Sequence, residues 1–147
     1  MDVDPKLAAL LKKKFASMNV LMVDDMTSNL RNFKFLLEDM GFNPDKIMMA
    51  NNGIKALSQM VKKKPDFIIT DWNMPMMDGL TFVKKVRSVP VGQNINILMI
   101  TAELDRDMEQ VDGFVDAFLK KPFTMANVEQ QIMTLVARKL LSAVKKK

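Results

Sequence analysis

Four apolar runs in this chain end in residues able to handle a divalent cation or a phosphoryl group. VLMV (20–23) runs into Asp24 and Asp25, FIIT (67–70) into Asp71, INILMI (95–100) into Thr101, and VDAFLK (115–120) into Lys121 and Pro122. Gathered in a small volume, three carboxylates repel one another, and at least one is pushed toward protonation unless a cation is present. Hard oxygen donors without nitrogen or sulfur favour Mg²⁺, which binds through one or two carboxylates, waters and a phosphate. Such a metal neutralises charge on a phosphoryl group in transfer. A carboxylate is itself a covalent phosphate acceptor. Lys121 adds a point charge for the phosphoryl oxygens, and Thr101 a hydroxyl that can turn toward them. Taken singly, an acid after a strand is more often a helix N-cap, and Asp24 and Asp25 each carry that reading beside the metal one. Agreement of four strand ends on one chemistry favours a site.

The elements that must bring these residues together follow from periodicity. Short apolar runs alternate with stretches of helical spacing, the pattern of βα units around a parallel sheet. Strands are expected at Asn19 to Val23, Lys46 to Ala50, Asp66 to Thr70, Ile95 to Thr101 and Val115 to Lys120. Helices are expected near Thr27 to Met40, Gly53 to Lys63, Gly79 to Ser88, Asp105 to Val111 and Thr124 to Val144. Gly41 closes the first of these as a C′ residue would, and Thr124 caps the last. The fold class is α/β: a doubly wound, five-stranded parallel sheet with helices on both faces. In such sheets function gathers outside the carboxyl ends of the strands, where the polar residues above fall.

Ahead of this frame, Pro5 opens a stretch in which Leu7, Leu10, Leu11 and Phe15 share a face opposite lysines. It reads as an amphipathic helix packed on the domain; docking to a partner or to a membrane surface is the alternative. Residues 1–17 are therefore set apart as an extension from a domain spanning 18–147.

Composition narrows the function classes. The 147 residues include no cysteine and no histidine, which removes disulfides, thiol nucleophiles, the usual zinc ligands and the commonest general base. An apolar fraction of 48% with 27% charged residues fits a globular chain, and no apolar run reaches membrane-spanning length. The opening MDVDPKLAALLKKKFAS reverses the charge order of a signal peptide, so a cytoplasmic location is expected. The net charge of +5 falls largely in Lys12 to Lys14, Lys62 to Lys64 and Lys145 to Lys147, read as solvated element ends. No basic pattern interleaved with aromatics emerges, and nucleic-acid binding is not expected. Of the 15 methionines, Met22, Met48, Met49 and Met99 lie in strands and read as core filling, while Met74, Met76 and Met77 fall in the loop after Asp71.

Taken in order, Val23-Asp24-Asp25, Asp71-Trp72-Asn73-Met74-Pro75 with Met77-Asp78-Gly79, Thr101-Ala102-Glu103 and Lys121-Pro122-Phe123-Thr124 resemble the receiver domains of two-component response regulators. The DWNMP string with its trailing MDG, TAE and KPFT look specifically like those of chemotaxis. The resemblance covers about Met18 to Val144. It implies a flavodoxin-like fold, with Asp71 as phosphoacceptor, Asp25 as direct Mg²⁺ ligand, Asp24 assisting through water and Asn73 offering its backbone carbonyl. By the same likeness, Thr101 and Lys121 contact the phosphoryl group and the Lys121-Pro122 bond is cis. Asn73 and Glu103 position the water that removes the phosphate, and Phe118 is the aromatic that swings inward on activation.

Two departures stand out. The chemotaxis regulators carry tyrosine at the Phe118 position, and the stretch from Thr101 to Lys121 is short, with Gly113 arriving early, so the helix it holds is expected to be stunted. The resemblance implies a monomeric, non-enzymatic switch that takes phosphate from a histidine kinase and binds a flagellar motor switch protein or a phosphatase, without inserting into membranes. A phosphate sink or relay intermediate is the alternative. An aspartyl-phosphate phosphohydrolase is disfavoured, because the second acid that its chemistry places two residues after the nucleophile is here Asn73.

Overall fold

The computed structural model describes residues 4–102 and 108–145. Five parallel strands, β1 (Val20–Val23), β2 (Ile47–Ala50), β3 (Phe67–Asp71), β4 (Asn96–Thr101) and β5 (Ala117–Lys120), form one sheet in the order β2-β1-β3-β4-β5. The helices are α1 (Pro5–Ser17), α2 (Thr27–Met40), α3 (Gly53–Lys62), α4 (Gly79–Arg87) and α5 (Met125–Lys145). The chain thus has the doubly wound α/β fold expected of it, with the additional helix at its start.

β1, β3 and β4 are buried along their whole length, which is why they read as uninterrupted apolar runs. Alternate residues serve opposite faces. Val20, Met22, Phe67, Ile69, Leu98 and Ile100 pack with α1, α2 and α5. Leu21, Val23, Ile68, Ile97 and Met99 pack with α3 and α4. Met49, on the edge strand β2, is 40% exposed, so its expected core role is corrected: an edge strand is covered on fewer sides.

Local signals set the helix ends. Gly41 takes φ 111°, and its N–H and that of Phe42 return to Glu38 and Leu37, closing α2. Thr124 and Asn127 exchange backbone-to-side-chain bonds of 3.1 Å each, a reciprocal cap on α5. Asp4 caps α1 and Pro5 occupies its first position. Leu11 and Phe15 of α1 are buried, and the Phe15 ring stacks on Phe42 at 4.5 Å. Leu7 packs against the same core, whereas Leu10, expected on that face, is 54% exposed.

The fifth strand starts two residues later than expected, and Val115 makes only an isolated bridge to Asp112. Side chains explain the late start. Asp116 Oδ2 accepts the Ile97 N–H at 2.7 Å, taking the place of a backbone carbonyl in the ladder, and receives Arg87 Nη2 at 3.0 Å. Arg87 also donates to the carbonyls of Phe114, Gly92 and Ile95 at 2.7–2.9 Å, tying the end of α4 to the approaches of β4 and β5. Residues 105–107 of the expected helix at Asp105 to Val111 lie outside the described residues; Met108 is helical and turns follow it.

Candidate functional site

Asp71, the last residue of β3, is buried between β1 and β4. Its Oδ1 accepts the Trp72 N–H at 2.8 Å, which fixes the carboxylate, and its Oδ2 faces Lys121 Nζ at 3.1 Å. Lys121 follows β5 directly; its N–H bonds the Thr101 carbonyl at 2.8 Å, and the Lys121–Pro122 peptide is cis. Thr101 itself is fully buried at the end of β4.

On the other side of β3, Asp24 is 4% exposed and Asp25 is exposed. Asp24 Oδ1 accepts from Met26 N at 2.9 Å and Oδ2 from Asn29 Nδ2 at 3.0 Å. The N-cap of α2 is Met26, so neither acid caps that helix. Oxygens of Asp24, Asp25 and Asp71 lie within 4.8 Å of one another. Burial, joined by the Asp71 charge, pushes the Asp24 carboxyl above its usual 3.8 against the pull of Met26, Asn29 and Lys121.

A set of hard oxygens with surplus negative charge, two of the three carboxylates buried, fits a small divalent cation. Asp25 offers the exposed ligand and Asp71 the buried one, with Asp24 beside both.

A close backbone approach positions Asp71. The Gly79 N–H bonds the Trp72 carbonyl at 2.6 Å, and a Cβ on Gly79 would stand 2.3 Å from the Asp71 carbonyl oxygen. Only glycine admits this contact. Asp78 then caps α4 by accepting the Thr81 N–H at 2.8 Å.

The structure therefore brings together Asp24, Asp25, Asp71 and Lys121, with Thr101 on the adjoining strand end. Asn73 sits exposed two residues beyond Asp71. Phe118 is 41% exposed on β5, its Cα paired with that of Met99. Glu103 lies outside the described residues. Asn29 and Gly79 are contributors that sequence reasoning missed. Asn29 lies one helical turn into α2, a spacing that could have flagged it, and Gly79 was visible only as a motif letter.

Acids closing the first and third of five parallel strands, with a lysine following the fifth, gather at one end of a doubly wound α/β domain. The family of the response regulator receiver domain matches residues 20–133, and the chain belongs to that family. It is 36% identical over 134 residues to the chemotaxis protein CheY-3 of Vibrio cholerae, covering 90% of this chain and 99% of that protein. It is 35% identical over 123 residues to the chemotaxis protein CheY of Pseudomonas aeruginosa, covering 82% and 98%. Among solved structures, the chemotaxis response regulator CheY4 of Vibrio cholerae superposes with a TM-score of 0.73 at 31% identity, over 80% of this chain and 97% of that one.

Proposed function

We propose that this chain is a phosphorylation switch of a two-component system, receiving a phosphoryl group from a histidine kinase on Asp71 and signalling through partner binding, in chemotaxis or flagellar motor control. The observation that carries this reading is the buried Asp71 carboxylate held between Lys121 at 3.1 Å and the acids Asp24 and Asp25. In the transfer, an Asp71 oxygen attacks phosphorus, the bond to the donor breaks, and the leaving group departs with its electron pair, leaving an acyl phosphate. Trp72 N–H orients the nucleophile, and Lys121 offsets charge on the phosphoryl oxygens. When bound by Asp25, Asp71 and the Asn73 carbonyl, with Asp24 assisting, Mg²⁺ neutralises the charge of the phosphoryl group. Thr101 would then turn its hydroxyl to the phosphate, Phe118 would follow it inward, and Asn73 with Glu103 would hold the water of dephosphorylation. The chain acts as substrate and switch rather than as an enzyme with turnover, in the cytoplasm beside its kinase.

Intact mass spectrometry with acetyl phosphate and Mg²⁺ tests the chemistry. A single acid-labile phosphate on the wild type, absent from Asp71→Asn, supports it; equal labelling of both would sink it. The short stretch between Thr101 and Lys121 keeps a phosphate-sink role in play. Binding of a motor switch peptide, strengthened by phosphorylation, decides for the output switch.

A further inference from the structure

In a parallel sheet each crossover helix returns with its C-terminus at the end opposite the carboxylates. Basic side chains gather at that end. Lys14 closes α1; Lys62, Lys63 and Lys64 close α3 and follow it; Lys84, Lys85 and Arg87 close α4. Lys46 stands at the head of β2, and Lys139 of α5 donates to the Asn94 carbonyl just before β4. Lys14 and Lys139 line one cavity of about 180 Å³. Burial pushes the Lys139 ammonium down, and the charges of Lys64 and Lys14 add to this against Asp116 and Asp66.

Attraction to the helix dipole accounts for cations within a last turn, not for Lys63 and Lys64, which continue the run past the end of α3. Nor does it account for the apolar side chains among them. Val61 is 89% exposed beside Lys62, Val91 is 57% exposed in the turn after α4, and Leu141 is 49% exposed two residues past Lys139. Three acids at this end are engaged: Asp66 accepts the Asn19 N–H, Asp116 is bound by Arg87 and Ile97, and Glu38 lies with Lys34. Asp39, Asp45 and Asp112 are exposed at this end too, outnumbered by the lysines. The acids Asp24, Asp25, Asp71 and Asp78 sit at the far end, so the molecule is electrically polar along its strands.

We propose that this basic end docks on an anionic membrane surface. Lysine heads reach lipid headgroup charge while their stems and the exposed aliphatics lie against the interface. Nucleic acid is the poorer match, since base and phosphate recognition leans on arginine forks and aromatic platforms. Here Arg87 is consumed by internal carbonyls and Asp116, the one ring near the lysines, Phe114, is half-buried beneath Lys84, and the exposed apolar residues among them are aliphatic. The surface is separate from Leu11 and Phe15 of α1, which the core occupies. It leaves the carboxylate site pointing away from the bilayer and open to a donor.

Co-sedimentation of the full chain with phosphatidylcholine vesicles, with and without phosphatidylserine, tests this. The wild type is expected to pellet with phosphatidylserine vesicles at low salt and to be released at high salt. Joint replacement Lys62→Glu, Lys63→Glu, Lys64→Glu is expected to weaken partition by roughly tenfold or more. Val61→Ser with Val91→Ser should weaken it without altering the salt slope, while Lys34→Glu and Asp71→Asn leave it unchanged. Circular dichroism confirms that each variant is folded. Indifference to phosphatidylserine, wild-type partition by the folded triple variant, or retention by duplex DNA but not by vesicles would overturn the proposal.

Discussion

Lys121 Nζ stands 3.1 Å from Asp71 Oδ2, joining the end of the fifth strand to the end of the third across β4. The ammonium and a bound divalent cation draw on the same carboxylate charge. Lys121→Met should therefore bind Mg²⁺ a few-fold more tightly, while phosphorylation by a small donor slows by roughly a hundredfold or more through loss of a preorganised charge. Trp72, buried next to Asp71, reports both steps by fluorescence. An unchanged phosphorylation rate would remove Lys121 from the chemistry.

Asp24 makes stability depend on pH. Its folded pKa lies above 3.8, so between the two values the folded chain binds more proton than the unfolded chain. The stability it contributes is fully present below 3.8 and is lost as pH rises through the folded value. Without Mg²⁺, Asp24→Asn should melt a few degrees above wild type at neutral pH, an advantage that closes as pH is lowered toward 3.8. Added Mg²⁺ should narrow it too, by favouring the charged wild-type site. Melting curves across pH, with and without the metal, check both trends.

Gly79→Ala drives a methyl to 2.3 Å from the Asp71 carbonyl oxygen, against backbone that has no rotamer to change. A loss on the order of 3 kcal/mol is expected, with a shift in Trp72 emission as the loop is displaced. Asp78→Ala, which removes only the α4 cap, should cost about 1 kcal/mol. Urea titration separates them; equal losses would mean the loop yields to the methyl.

Phe15→Ala deletes a buried ring stacked on Phe42, at an expected cost of about 3–5 kcal/mol. Because α1 lies away from the carboxylates, Mg²⁺ affinity of the folded variant should stay within about twofold of wild type, as additivity of distant sites implies. Calorimetric titration with Mg²⁺ is the check.

What could be read from the residues alone divides along physical lines. β1, β3 and β4 were legible because a strand buried on both faces must be apolar throughout, and each ends in the polar residue that the sheet delivers to the site. β5 was placed two residues early, since Val115 continues the apolar pattern while the ladder is begun by a side chain, Asp116. Met49 was misjudged because composition does not reveal which strand is an edge. Asp24, Asp25, Asp71 and Lys121 were named from strand ends and motif order. Gly79 was not given its role, because the clash it avoids is with Asp71 and Trp72, residues that chain folding alone brings against it.

The Arg87 guanidinium turns the base of β5 into a fixed support. It grips the Phe114 carbonyl and the Asp116 carboxylate at one end of the strand, while Lys121 at the other is tethered to the Asp71 charge. β5 is in effect a short beam clamped at one end and moored electrostatically at the other. Whatever redirects the charge of Asp71 therefore acts on the moored end alone, since neither the clamp at Asp116 nor the ladder pairing β5 with β4 touches that carboxylate.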